Sequence, residues 1–140
     1  MNRQERRAAE RQAKSDPAAG ARLADQAFAG AEQMRQAGRN AEAEQLCRQA
    51  LVHDPRHARS YNLLGVLSVE AGRLDVAADL FGRAVAFDGA VHVFHNNLGS
   101  ALRELGREAE AAQAFGRAVA IKPLPAPVAA GYAYMRWFHK

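Results

Sequence analysis

The residues best suited to chemistry in this chain are five histidines, one cysteine and fifteen carboxylates. His92 and His95 stand three apart, a spacing that puts two imidazoles on one helix face and could begin a metal site. No Cys or carboxylate recurs at matched spacing. His95 is therefore expected to pack inside and His92 to face solvent, with no metal bound. His53 and His57 are four apart, but Pro55 between them breaks a shared helical face. Cys47 is alone, so neither a disulfide framework nor a paired Cys/His zinc pattern is available within the chain. It reads as a small core residue.

Phosphate-loop, dinucleotide and metalloprotease motifs are missing, and no Gly-x-Ser-x-Gly elbow occurs. The carboxylates are spaced as solvated helix faces. Nothing pairs groups for catalysis, so the expectation is no enzyme and no cofactor. What remains is recognition chemistry. The amides of Asn62, Asn96 and Asn97 donate and accept, and so suit an extended backbone. Arg59 and Arg103 suit carboxylates.

The elements that must position these residues follow from an internal repeat. Asn62–Ala86 and Asn96–Ala120 align at an offset of 34, with 14 of 25 places identical. The run Phe81–Ala86 recurs whole as Phe115–Ala120. A fixed period of this size marks a stacked array of helix pairs, each too small to bury its own apolar face. Ala-rich composition and few β-branched residues agree with helix.

The pattern resembles the tetratricopeptide repeat: aromatic-x2-Leu-Gly, then Ala-x3-Phe-x2-Ala, then Pro. One copy carries Tyr61, Leu64, Gly65, Ala77, Phe81 and Ala84. The next carries His95, Leu98, Gly99, Ala111, Phe115, Ala118 and Pro123. An upstream copy has Gly38, Ala43, Cys47, Ala50 and Pro55. Departures are Ala27, Gly30 and Ala31 in the first copy, Gly89 in the Pro place of the second, and His95 in the aromatic place of the third.

The expected organisation is a leader at 1–20, repeats at 24–57, 58–91 and 92–125, and a segment at 126–140. The resemblance implies an all-α fold, a right-handed superhelical solenoid of three helix pairs plus a C-terminal helix. First-unit helices are expected from Ala21–Ala24 to Ala37 and from Ala41 to His53, with Gly38 ending one and Asn40 capping the next. Later helices are expected over His57–Ala71, Asp75–Phe87, Val91–Leu105 and Ala109–Ile121, with Asp75 as a cap.

Charge is uneven. The leader to residue 23 holds six basic and three acidic side chains, whereas 24–125 holds eleven and twelve. The basic balance belongs to the ends and does not make the array a nucleic-acid binder. Residues 1–20 have no large apolar or aromatic residue beyond Met1; Arg3, Arg6, Arg7, Arg11 and Lys14 fit a frayed basic helix ending before Pro17, which reads either as a solvated leader or as a contact for nucleic acid or an acidic surface. No stretch reaches ~18 apolar residues, and the N-terminus lacks a signal-peptide pattern, so a cytoplasmic location is expected. At the other end, Val128, Tyr132, Met135 and Phe138 recur at helical spacing. That segment reads either as a cap on the array or as an interface for self-association.

The resemblance also implies where a partner protein or peptide lies: on the first helix of each unit, lining a concave groove. Those places hold Arg59, Asn62, Val66, Val69 and Glu70, then Val93, Asn96, Asn97, Ser100, Arg103 and Glu104. In the first unit they hold Asp25, Phe28, Glu32, Arg35 and Gln36. Phe28 and Glu32 stand where a chaperone-tail carboxylate clamp would begin, and only Asn97 fits the Asn ladder of sugar-transferase arrays. The function implied is a protein-interaction module. The alternative is the non-catalytic repeat portion of a bacterial glycosyltransferase or methyltransferase system.

Overall fold

The structure is a computed structural model that describes residues 1–121. The described residues form seven helices and no strand: α1 Arg3–Ser15, α2 Pro17–Gln36, α3 Asn40–His53, α4 Ala58–Glu70, α5 Leu74–Phe87, α6 His92–Glu104 and α7 Glu108–Ile121. The expected segment at 126–140 lies outside the described residues. The chain divides into two compact units, Met1–Ser60 and from Tyr61 onward.

Local chemistry sets the helix ends. Gly38, Gly72 and Gly106 take φ of +78°, +78° and +81°. These places are 34 apart, and each turns the chain between the helices of a pair through a left-handed conformation that a side chain resists. After each glycine stands an arginine. Arg39 pairs with Glu42 at 3.2 Å, and Arg107 reaches Glu110 through both Nε and Nη2.

The leader is helical over Arg3–Ser15. Asn2 and Glu5 form a reciprocal cap, each main-chain N–H donating to the other's side chain at 2.8 Å, and α1 follows. Two expectations need correction. The next helix begins at Pro17, ahead of Ala21–Ala24, because Asp16 accepts from the Ala18 N–H and Pro17 fills the first helical position. Asn40 and Asp75 are not caps: Arg39 and Arg73 hold the cap positions without a side-chain bond, and both expected caps sit in the first helical turn.

In the first unit α2 packs on α3, burying Ala24, Phe28 and Ala31 and, opposite, Ala43, Cys47 and Ala50. In the second unit Val66, Ala77, Ala78, Phe81, Ala101, Leu102 and Ala111 form one core. Gly65 is obligatory there. A Cβ at that place would stand 2.4 Å from the Phe81 ring, and one at Gly99 would stand 2.7 Å from Phe115. The first copy has Ala31 and Cys47 at these register positions, both with 0% exposure. The larger residue on one helix goes with the smaller one on the other, so the volume between the helices is conserved.

Candidate partner-binding surface

In the first unit, Asp25 is an exposed residue about two turns into α2, and the start of α4 brings two groups to it. His57, just ahead of α4, places Nε2 2.7 Å from Asp25 Oδ1 and Nδ1 2.7 Å from Ser60 Oγ. Arg59 donates through Nη2 to the same Oδ1. An ionised carboxylate only accepts, so His57 Nε2 carries the ring proton; in the neutral ring Nδ1 accepts from the Ser60 hydroxyl. The His57 hydrogen bond, aided by the Arg59 charge, holds the Asp25 carboxyl below the usual carboxylate range. Phe28 completes the cluster, 5.6 Å from the His57 ring and 4.9 Å beneath the Arg59 guanidinium.

A Ser–His–Asp chain invites a nucleophilic reading. Burial argues against it, because Ser60 is 0% exposed and has no open face for a substrate. The cluster ties α2 to the first turn of α4. It was not foreseen as a cluster. The available signal was His57 itself, a polar residue at a register place that holds Leu23 and Val91 in the other copies.

Of the other first-unit residues, Glu32 and Gln36 are exposed and Arg35 is half-buried. Cys47 packs as expected, and burial, ahead of the Glu44 and Glu32 charges, pushes its thiol up to about 12.

In the second unit the amides meet. Asn97 Nδ2 on α6 donates to Asn62 Oδ1 on α4 at 2.9 Å, and both side chains are half-buried. Glu70, Arg103 and Glu104 are exposed, and Val93 is half-buried. Val66 belongs to the core, against which Val69 packs. Asn96 and Ser100 are buried, at 9% and 2% exposure. Arg103 also borders a cavity of about 240 Å³ with Glu108, Ala111, Ala112 and Phe115. His95 is buried as expected, while His92 is half-buried rather than solvent-facing.

Among the described residues no group of three His, Cys, Asp or Glu side chains is placed to hold a metal ion. No helix among them is long and apolar enough to cross a membrane.

A tetratricopeptide repeat profile matches residues 34–91, and a second matches 93–123. The chain belongs to the tetratricopeptide repeat family. Its fold class is the all-α solenoid of that family. No curated protein matches it in sequence. Among solved structures it is similar to a mutant of the Thermobaculum terrenum O-GlcNAc transferase, with 27% identity and a TM-score of 0.72. That match covers 83% of this chain but only 22% of the transferase. It is also similar to the first tetratricopeptide domain of Spaghetti (RPAP3), bound to the HSP90 peptide SRMEEVD. There the identity is 17%, the TM-score 0.73, and the coverage 81% of this chain and 92% of that one. MamA matches at 23% identity and a TM-score of 0.68, over 93% of this chain and 75% of its own.

Proposed function

We propose that this tetratricopeptide protein is a non-catalytic, cytoplasmic interaction module that binds an extended segment of a partner protein along its first helices. The observation that carries this reading is the Asn97–Asn62 amide pair. Each amide offers two N–H donors and one oxygen. After their mutual bond the pair keeps donors and an acceptor, half-exposed, that match the N–H and C=O of an extended chain. Exposed Glu70, Arg103 and Glu104 lie on the same two helices and supply charge selectivity. The peptide held by the Spaghetti domain supports this class of partner.

The test is selection from a displayed peptide library on the whole chain, followed by affinity measurement with Asn62→Ala and Asn97→Ala. Tenfold or greater weakening with unchanged helical circular dichroism is expected. Selected peptides that bind both variants as well as the parent would move the site elsewhere.

A second reading is favoured by the transferase similarity: the chain acts as the repeat portion, or a separate subunit, of a bacterial glycosyltransferase or methyltransferase system. In it, residues 126–140 meet another chain, whereas in the first reading they cover the array. Solution mass across concentration, with and without those residues, separates the two.

A further inference from the structure

Among the described helices, α1 is the one that the repeat does not explain. Its strongest feature is charge. At 3.6 residues per turn, Arg3, Arg7 and Arg11 recur at i, i+4 and Arg6 joins them at i+3 of Arg3, so four guanidiniums share one face. Every residue from Met1 to Arg11 is exposed. Of the two carboxylates, Glu10 lies among the arginines, whereas Glu5 is engaged in the cap with the Asn2 N–H. The face therefore keeps a net charge of about three, by the same helical spacing.

We propose that this face of α1 binds the phosphate backbone of nucleic acid without reading its sequence. Three observations favour that polyanion. Through residue 11 the basic residues on the face are all arginine, whose planar fork fits phosphate oxygens two at a time. The i, i+4 rise of ~6 Å is about two phosphate steps along one strand. The rest of the helix surface through residue 11 offers Gln4, Glu5, Ala8 and Ala9, with no large apolar side chain to enter a bilayer. No residue on the face presents an aromatic ring or a paired amide to a base, so contacts stay with the backbone.

The experiment is fluorescence anisotropy of a labelled 20-base-pair duplex with the full chain across a salt series. Dissociation constants in the range ~10⁻⁴–10⁻⁶ M are expected, weakening roughly 40- to 150-fold between 50 and 200 mM salt for three to four phosphate contacts. The variant Arg3→Gln, Arg7→Gln, Arg11→Gln should lose at least tenfold, because glutamine keeps helix propensity but not charge. The control Arg48→Gln, Arg73→Gln, Arg117→Gln has the same net charge and should stay within twofold. Lack of binding at 50 mM salt overturns the proposal, and so does equal loss in both variants. Phosphatidylserine vesicles or polyglutamate binding the same face more tightly than the duplex would assign it to a membrane or an acidic protein instead.

Discussion

His95 donates from Nε2 to the Gly89 carbonyl at 2.9 Å. These are the two places where the second and third copies depart from the repeat: a histidine where an aromatic is usual, and a glycine where proline is usual. The departures are partners. His95 is only 4% exposed, so its bond is made away from water. His95→Phe restores the usual residue type but leaves the Gly89 carbonyl without this donor. A loss of about 1–2 kcal/mol is expected from urea denaturation, against the gain a more apolar ring would otherwise bring. An equal or higher midpoint would show that the bond adds nothing.

The Gly65–Phe81 contact predicts strong coupling. Gly65→Ala forces a methyl into the Phe81 ring and should cost about 2–3 kcal/mol by overpacking. Phe81→Cys alone should cost about 2–4 kcal/mol by leaving a cavity. Together they recreate the Ala31/Cys47 combination of the first copy, and the double variant should be less destabilised than the sum by more than about 1 kcal/mol. Simple additivity in a denaturation cycle would refute the volume-exchange account.

Cys47 should be inert in the folded chain. With its thiol pushed up to about 12 and no exposed surface, it holds no appreciable thiolate at neutral pH. Labelling by a disulfide reagent should be slow in native buffer and rise in step with unfolding as denaturant is added. Rapid labelling without denaturant would contradict the packing.

Asp25 makes one component of stability pH-dependent. Its folded carboxyl lies below the ordinary value of 3.8, so its contribution is present above that value. The contribution is lost as pH falls through the lower folded value. With the side chain 54% exposed, solvent screening keeps the ion-pair share to about 0.5–1 kcal/mol. Asp25→Asn retains an oxygen for His57 and removes the charge. The gap between parent and variant should begin to narrow as pH falls below about 5 and keep closing below 3.8, as the lowered folded carboxyl takes up its proton. A gap that does not change with pH would show that only the hydrogen bond matters.

The periodic apolar and glycine places were enough to read out the helix pairs. Expected and observed helices from α3 onward agree within one or two residues, because each boundary is local: Gly38, Gly72 and Gly106 recur in register and need left-handed turns. The fates of Cys47 and His95 were also legible, since Cys47 stands in the place of Phe81 and Phe115 and His95 in the aromatic place of the repeat. The start of α2 was missed because an Asp–Pro start outweighed low hydrophobicity.

Periodicity determines which residues share a helix face; it cannot say which of them touch across helices. Only the tertiary structure decided that Asn62 bonds Asn97 and that Asp25 gathers His57 and Arg59. It alone placed Val66, Asn96 and Ser100 in buried positions while Glu70 and Arg103 stayed exposed. Hydrogen bonds need distances near 3 Å and burial needs neighbours on several sides. Both come from the packing of one helix on the next, and the order of residues along a single helix does not contain them.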